Sequence, residues 1–157
     1  SRPLAPPRVH LKFNTGMARL GFDTSAASPL ADHFSNHKFL KLEGVCTHLS
    51  DGDDAHLADG VSQKQFELFS QIENAFNSFD LKFHALNSSA LIATAFTQNH
   101  PARRWGARPG IALYGVKPAL VNAPPEIEAK WRAFDLRPVM TVETKIVLTR
   151  PLKKGDG

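Results

Sequence analysis

Two short segments place anion-binding groups and a cation where a phosphate-bearing ligand would need them. Asn87-Ser88 follows an apolar run and opens an apolar helical stretch, and the N–H groups and dipole at a helix start attract anions. Arg108 stands shortly before Gly110, whose missing side chain lets a ligand approach the backbone. An ordinary helix cap is the more common reason for an Asn-Ser pair such as Asn87-Ser88, and many turns hold Arg and Gly, so neither segment identifies a site by itself.

Further polar residues follow the other apolar runs. Asn14, Thr15 and Arg19 come after the first run, and His48 ends the second. The aspartates after His48 lie in a predicted loop without calcium-loop spacing, and no second histidine stands at helical or hairpin spacing, so we expect no metal site. The remaining histidines have no partner pattern and are interpreted as structural or surface residues: His10, His33, His37, His56, His84 and His100.

The elements that must carry these residues alternate between two patterns. Short apolar runs bounded by turn residues cover 9–13, 42–48, 81–86 and 110–115, and each predicts a strand covered on both faces. Longer amphipathic stretches separate the runs. This alternation predicts an α/β fold with a parallel sheet, whose functional residues lie at the carboxyl ends of the strands. The pattern does not distinguish an open sheet from a barrel.

Capping signals indicate where two of the helices begin. Ser28-Pro29 is typical of an N-cap followed by proline, and Ser62 with Gln65 forms a capping box. After Ser62, apolar side chains recur at spacings of three and four, which predicts one stripe packed against the sheet. The stripe comprises Phe66, Phe69, Ile72, Phe76 and Phe79.

The character of the sequence changes after Gly115. Several prolines follow, and residues 139–148 then alternate apolar and polar side chains, which predicts an antiparallel strand rather than another strand–helix unit. We therefore predict a domain boundary near residue 134. Residues 1–134 form one domain, and residues 135–157 begin a second, β-rich domain.

Composition narrows the class of protein. The chain has 157 residues with 42% hydrophobic and 22% charged residues, which is typical of a globular protein. Its net charge is +4, but the basic residues are scattered, so we expect no nucleic-acid partner. No apolar run is long enough to span a bilayer and no signal peptide is visible, so we expect no membrane partner. The single cysteine, Cys46, fits a reducing cytoplasm.

Five segments together resemble bacterial alanine racemases. Residues 9–22, VHLKFNTGMARLGF, resemble the family's H-L-K-x-D-T-G-M-x-R-L-G stretch, and residues 44–48, GVCTH, resemble G-V-x-T-H. Residues 84–90, HALNSSA, resemble H-x-x-N-S-A-A, and residues 108–115, RPGIALYG, resemble R-x-G-I-x-L-Y-G. Residues 136–141, LRPVMT, resemble the entry to the family's C-terminal β domain. The matches occur in the family's order and cover nearly the whole chain.

The resemblance implies a fold-type III pyridoxal 5′-phosphate enzyme, in which a (β/α)₈ TIM barrel precedes a β domain. Residues 1–134 would be the second half of the barrel, strands five to eight, and residues 135–157 the start of the β domain. It further implies alanine as substrate, a homodimer, and a bacterial cytoplasmic enzyme that supplies D-alanine for peptidoglycan.

The resemblance also implies roles for individual residues. Asn87, Ser88 and the backbone of Gly110 and Ile111 would hold the cofactor phosphate. The catalytic groups on the ring side would be Arg108 at the pyridine nitrogen, His48 hydrogen-bonded to Arg108, and Arg19 at the phenolic oxygen. Lys12, carbamylated in many relatives, would orient Arg19. Because a guanidinium does not give up its proton, the ring is a weak electron sink, which favours racemisation over transamination.

Three departures from the family pattern affect the expected activity. The family's Schiff-base lysine follows the first barrel strand, a segment this sequence does not match. The family's second base is a tyrosine of the β domain, whereas the sole tyrosine here is Tyr114. Asn14 stands where aspartate is usual. We therefore expect the chain to be part of a racemase and to be inactive by itself.

Other readings remain. The first alternative is a different protein of the same fold type, such as an amino-acid decarboxylase or a broad-specificity racemase. Decarboxylases of this class usually place an acid opposite the ring nitrogen, where this chain has Arg108. A non-enzymatic pyridoxal phosphate-binding barrel lacks a β domain, which the predicted strand after residue 138 argues against. A plain α/β scaffold without a site is the third reading.

Overall fold

The computed structural model describes residues 5–37 and 39–155. Within these ranges, strands and helices alternate along the chain. Their bounds are β1 Arg8–Lys12, α1 Ala27–Asn36, β2 Lys41–Cys46, α2 Val61–Ala75, β3 Lys82–Leu86, α3 Ser88–Phe96, β4 Gly106–Ala107 and α4 Pro125–Ala133. Short 3₁₀ turns cover Thr24–Ala26, Gly52–Asp54, Pro101–Arg104 and Ile111–Tyr114. No described helix is long and apolar enough to cross a membrane.

The four strands form one parallel sheet in chain order. This confirms the predicted α/β class, and β1, β2 and β3 lie where the apolar runs predict strands. Because side chains alternate between the faces of a strand, the register sorts them into two sets. The apolar face carries Leu11, Val45 and Phe83 in register. The polar face carries Lys12, Cys46 and His84 in register.

The helices cover the apolar face. The stripe predicted on α2 is confirmed: Phe66, Phe69, Ile72 and Phe76 are buried, and Phe79 packs against them half-buried. Trp105, just before β4, contacts Phe69 edge-to-face with ring centroids 4.9 Å apart. Burying each such side chain contributes about 1.5–3 kcal/mol, so this layer holds the strands in place.

The strand predicted over 110–115 is wrong. Ile111–Tyr114 is a 3₁₀ turn ended by Gly115 at φ 75°, and the fourth strand is Gly106–Ala107. A short apolar run has the same appearance in a buried strand and in a helical turn, and here the side chains are not covered, since Leu113 is 67% exposed. As a result Arg108 follows the fourth strand instead of preceding it.

Both predicted helix starts are displaced. Helix α1 begins at Ala27, directly after a 3₁₀ turn capped by Asp23, so Ser28-Pro29 lies inside its first turn. Helix α2 begins at Val61, and its cap comes from Asp54, whose carboxylate accepts the N–H groups of Val61 and Ser62 at 2.6 and 3.2 Å. The capping box is therefore wrong, because a carboxylate from the preceding loop already accepts these N–H groups.

The strand predicted over 139–148 is absent. Residues 135–153 contain no helix or strand, and Val142 and Val147 are 90% and 94% exposed. An alternating segment becomes a strand only beside a partner strand. No described strand pairs with this segment, although the Val139 N–H donates to the Tyr114 carbonyl at 3.2 Å. The boundary near residue 134 stays a prediction, next to the end of α4 at Ala133.

Candidate functional site

The carboxyl ends of β2, β3 and β4 surround a cavity of about 250 Å³. Six of the residues predicted as cofactor-binding line it, together with Ser89. The lining residues are His48, Asn87, Ser88, Ser89, Arg108, Gly110 and Ile111. The strand ends bring these residues together because parallel strands all end at the same edge of the sheet.

Ser88 and the turn after Arg108 form the part of the cavity suited to an anion. The Ser88 hydroxyl oxygen accepts hydrogen bonds from the backbone N–H groups of Gly110 at 2.9 Å and Ala112 at 3.2 Å. A Cβ built on Gly110 would meet no protein atom within 4 Å, so the space beside its backbone is open. Ala112 was not foreseen from the sequence, and its N–H joins that of Gly110 because residues 111–114 turn as a 3₁₀ helix.

Asn87 is the N-cap of α3. Its side-chain oxygen accepts the Ala90 N–H at 3.0 Å, as the ordinary-cap interpretation predicts. A Cβ on Gly52 would lie 2.2 Å from the same oxygen, so the 3₁₀ turn packs tightly on the cap. Asn87 therefore lines the cavity while its side-chain oxygen caps α3. This cap fixes the position of Ser88, which is the first residue of the helix.

Arg108 is half-buried, and its guanidinium is held by backbone and side-chain acceptors. Nη1 donates to the His84 carbonyl at 2.8 Å and contacts Nδ1 of the His84 ring, and Nη2 donates to the Thr47 carbonyl. Within the described residues none of its hydrogen bonds reaches His48, so the predicted His48–Arg108 hydrogen bond is replaced by contacts with His84. From the sequence pattern we expect a structural or surface role for His84, and only the strand register shows that it lies beside Arg108.

His48 lies close to three cations. Burial lowers the pKa of its ring below the usual value, and the positive charges of Arg108, Arg19 and Lys12 lower it further. The imidazole is therefore neutral at pH 7. Its backbone is also fixed, because the His48 carbonyl accepts a hydrogen bond from the Gln65 amide at 3.2 Å.

The loop after β1 carries Arg19. Asn14 closes this loop: its side-chain oxygen accepts the N–H groups of Gly16 at 3.2 Å and Ala18 at 2.8 Å. The Asn14 amide oxygen closes the loop through these two hydrogen bonds, and a carboxylate oxygen at the same position could accept them as well. Arg19 is exposed and Lys12 half-buried. Both act on the charge environment of His48 but lie outside the lining of the cavity.

A buried polar network that the sequence analysis missed ties these loops to α2. The Thr15 and Thr47 hydroxyls are 2.7 Å apart, and the Gln65 amide donates to the Thr15 hydroxyl at 3.1 Å. The Gln65 oxygen accepts from the backbone and side chain of Ser50 at 2.9 and 3.0 Å. The sequence predicts Gln65 in a capping box, but its side chain instead links the loops after β1 and β2.

A larger cavity, of about 650 Å³, lies along the β4 edge. Its charged lining residues are Glu73, Lys82, Arg104 and Arg108, and the His84 ring lines it as well. This cavity exists because β4 is two residues long and, among the described strands, pairs only with β3. Arg108 lines both cavities, whereas His84 lines only the larger one.

A family model described as alanine racemase, N-terminal domain, matches residues 2–118. The chain belongs to the alanine racemase family. The alanine racemase of Sorangium cellulosum is 38% identical over 152 residues, and that of Laribacter hongkongensis is 36% identical over 154 residues. These alignments cover 94% and 98% of this chain but only 35% and 37% of the relatives, so the chain spans about a third of their length.

Solved alanine racemases share the fold. The Clostridium difficile structure superposes with a TM-score of 0.63 at 23% identity, and the Bacillus anthracis structure, with bound L-Ala-P, with a TM-score of 0.59 at 28% identity. Both cover 85% of this chain and 32% of the solved chain. The Bartonella henselae structure, with covalently bound pyridoxal phosphate, has a TM-score of 0.54 at 25% identity and covers 75% of this chain and 32% of that one.

Proposed function

We propose that this chain forms the phosphate- and ring-nitrogen-binding part of a pyridoxal 5′-phosphate site in an alanine racemase, which interconverts L- and D-alanine. The observation that carries this proposal is the convergence of Ser88, Gly110, Arg108 and His48 on one cavity. In the family resemblance these are the residues assigned to the two ends of the cofactor.

The phosphate end is supported by the local chemistry. The Ser88 hydroxyl can donate its proton to an anion, and the start of α3 adds a favourable dipole in the same place. The N–H groups of Gly110 and Ala112 donate to the Ser88 oxygen and so hold this hydroxyl in position. The open space beside Gly110 admits an anion close to the backbone. Ser88 would hold this phosphate together with the backbone of Gly110 and Ile111.

The ring end is supported by Arg108. When bound, pyridoxal phosphate supplies a conjugated ring that delocalises negative charge from the substrate α-carbon. A guanidinium has only donors and keeps its proton, so Arg108 would donate to the pyridine nitrogen without protonating it. The contacts with His84 and the Thr47 carbonyl hold Arg108 in place for that task.

The remaining residues would set the charge around the ring. Neutral His48 lines the cavity beside Arg108, and Arg19 and Lys12 approach from the loop and strand β1. Arg19 would reach the phenolic oxygen of the ring, and Lys12, carbamylated or not, would orient Arg19. Neither lysine nor tyrosine lines the described cavity, so the bases that move the α-proton would come from other segments of the racemase.

The wider setting follows from the same proposal. We place β1–β4 as strands five to eight of the (β/α)₈ barrel, residues 1–134 as part of the barrel domain and residues 135–157 as the start of the β domain. The enzyme would act as a homodimer in a bacterial cytoplasm and supply D-alanine for peptidoglycan.

A chimera tests the proposal. Residues 5–155 replace the matching segment of the Laribacter hongkongensis racemase, and the purified protein is assayed for formation of D-alanine from L-alanine. We expect racemisation, and its loss when Arg108 is changed to Leu. In parallel the isolated chain is titrated with pyridoxal 5′-phosphate by tryptophan fluorescence. A folded chimera that binds pyridoxal phosphate but does not racemise alanine would contradict the assigned reaction; a chain that ignores the cofactor would contradict the site.

A further inference from the structure

Helix α1 ends in two histidines that stand one turn apart. His33 lies in the last turn and His37 is the C-cap, and among the seven histidines of the chain these are the only two separated by four positions. Residues four apart lie on the same face of a helix. Both side chains are exposed. From the sequence they are interpreted as structural or surface residues, and only the structure shows that the two rings lie against each other.

The two rings are nearly parallel. Their centroids are 4.3 Å apart and their planes differ by 14°. Phe34 contacts the His33 ring edge-on, with centroids 5.7 Å apart, so His33 is flanked by two rings that limit its movement. Two nitrogen ligands on adjacent positions of one metal ion lie about 3 Å apart, since each metal–nitrogen bond is about 2.0–2.1 Å long. The stacked pair therefore needs only a small ring rotation to direct two nitrogens at one ion.

One nitrogen of His37 is bonded to the backbone. Its Nδ1 lies 3.0 Å from the His33 carbonyl oxygen, and because a carbonyl oxygen only accepts, Nδ1 carries the proton. Nε2 of the neutral ring then keeps its lone pair available to a metal. A histidine that ligates a metal commonly donates its other N–H to a backbone carbonyl, so His37 is held in the tautomer that a metal ligand requires. Neither ring nitrogen of His33 has a hydrogen-bond partner among the described residues.

The position at the end of α1 favours a cation over an anion. The last carbonyl groups of a helix carry partial negative charge, which stabilises a positive charge beside them. Lys41 lines the same groove as His37, but its ammonium lies 3.7 Å from the Glu43 carboxylate, which offsets its charge.

The ligand set indicates which cations would bind. Imidazole suits Cu²⁺, Ni²⁺ and Zn²⁺, whereas Mg²⁺ and Ca²⁺ prefer oxygen ligands. No group of three or more histidine, cysteine or carboxylate side chains that could hold a metal occurs in the described parts of the chain. The two imidazoles would therefore be the protein ligands, and water would complete the coordination of an ion that exchanges readily.

We propose that His33 and His37 form a two-histidine site for a divalent cation of the late first transition row, Cu²⁺, Ni²⁺ or Zn²⁺, at the end of α1. The end of α1 leads to the start of β2 at Lys41, which is the opposite edge of the sheet from the cavity at the carboxyl ends. The metal site is therefore separate from the proposed cofactor site, and its test does not depend on the proposed function.

The first measurement adds Cu²⁺ to the whole chain, purified without a histidine tag. Because Cu²⁺ is paramagnetic, it broadens the ¹H–¹⁵N signals of nearby amides. At one equivalent we expect broadening at the end of α1 and the start of β2, and an electron paramagnetic resonance spectrum of Cu²⁺ bound by two imidazole nitrogens. The affinity should rise from Ni²⁺ to Cu²⁺ and fall again at Zn²⁺. Amides of α1 that keep their full signals at one equivalent of Cu²⁺ would overturn the proposal.

The second measurement compares variants by isothermal titration with Cu²⁺. His33→Asn and His37→Asn each remove one ligand, and each should weaken binding by about tenfold or more. The matched control combines His33→Asn with Ser35→His, at an exposed position. It keeps the number of histidines but sets two of them two positions apart, where side chains do not face each other on a helix. We expect it to bind as weakly as His33→Asn, and full affinity in this double variant would mean that exposed histidines bind Cu²⁺ whatever their spacing, which contradicts the proposal.

Thermal unfolding gives a readout that weak binding elsewhere does not reproduce. A metal held by both rings joins the last turn of α1 to its C-cap, so Zn²⁺ well above its Kd should raise the Tm of the unmodified chain. The Tm of the double variant should stay unchanged at the same Zn²⁺ concentration, and equal shifts in the two proteins would contradict the proposal. If His37→Asn does not fold, as judged by circular dichroism, His33→Asn decides: full Cu²⁺ affinity in the folded variant overturns the site.

Discussion

The hydroxyl oxygen of Ser88, the first residue of α3, lies 2.9 Å from the backbone nitrogen of Gly110 beyond β4. This contact joins the carboxyl ends of β3 and β4. It links the start of α3, which follows β3, to the turn that follows β4. Ser88 also accepts from Ala112, so one buried hydroxyl organises the whole turn that follows Arg108. The phosphate end of the proposed site therefore depends on this residue more than on any other.

Changing Ser88 to Ala is expected to weaken binding of pyridoxal 5′-phosphate by about tenfold or more, because a hydrogen bond to a charged ligand contributes about 1.5–3 kcal/mol. The variant also leaves the Gly110 and Ala112 N–H groups without their acceptor. Fluorescence titration of the purified chain measures the dissociation constant. Ser78→Ala, at an exposed position, serves as the control. Equal affinities of the two variants would show that Ser88 does not hold the phosphate.

Substitutions at Gly110 and Gly21 can distinguish an effect on cofactor binding from an effect on stability. A Cβ at Gly110 meets no protein atom within 4 Å, whereas at Gly21, where φ is +129°, it lies 2.7 Å from backbone atoms of Phe13 and Asn14. We expect Gly110→Val to reduce pyridoxal phosphate affinity with the free energy of unfolding changed by less than about 0.5 kcal/mol. Gly21→Ala should lower that free energy by about 1–3 kcal/mol.

Urea unfolding and cofactor titration of both variants check this pair. We expect opposite results for the two variants: weaker cofactor binding with unchanged stability for Gly110→Val, and reduced stability for Gly21→Ala. A Gly110→Val variant that binds as tightly as the unmodified chain would mean that the open space beside Gly110 is not used by the ligand.

Much of the fold could be predicted because its signals are local. The first three strands are apolar runs between turn residues, and the stripe on α2 repeats at helical spacing, so each is visible within a few residues of sequence. β4 could not be predicted in this way, since Gly106-Ala107 is two residues long and carries no pattern. The neighbouring apolar run 111–114 was assigned in its place, which shifted Arg108 to the wrong end of the strand.

The contacts of the candidate site depend on register, which local sequence does not encode. His10 and His84 are 74 positions apart, and Gln65 reaches Thr15 across 50 positions. These residues meet because the register of the parallel strands fixes which residues of neighbouring strands lie side by side. The family resemblance located Ser88, Gly110, Arg108 and His48, but the contacts of Gln65 and of the His10–His84 pair became visible only once the strands were paired.

Gln65 is expected to be the most sensitive polar residue in the chain's interior. It is 2% exposed and bonds with Thr15, Ser50 and the His48 carbonyl. Gln65→Leu removes the partner of the Ser50 N–H and hydroxyl and of the His48 carbonyl, while Thr15 keeps its contact with Thr47. Each buried group left without a partner costs about 1–3 kcal/mol, so the free energy of unfolding should fall by about 2–5 kcal/mol. Gln63→Leu, two residues earlier and with one contact to Glu67 at 3.3 Å, should change it by less than about 0.5 kcal/mol. Urea unfolding distinguishes the two, and equal effects would mean that the network does not stabilise the loops.

The pH dependence of stability follows from the histidines at the site. The pKa of His84 falls from 6.5 to about 4 on folding, through burial and the charges of Arg108 and His10. Between these two values the unfolded chain binds more protons at this ring than the folded chain, so the free energy of unfolding rises with pH in this window. Burial also lowers the pKa of His48 and His100, and both contribute in the same direction.

We therefore expect the free energy of unfolding to be highest above about pH 6.5 and to decrease as the pH falls toward 4, because the neutral ring of His84 must be kept beside the Arg108 guanidinium while the unfolded ring gains a proton. His84→Asn removes the titrating group but keeps an acceptor, so its stability should decline less over the same interval. His33→Asn, at an exposed position of α1, should follow the unmodified chain. Urea unfolding at pH 4.5, 5.5, 6.5 and 7.5 measures the slopes, and parallel curves for His84→Asn and the unmodified chain would mean that His84 is not held neutral by Arg108.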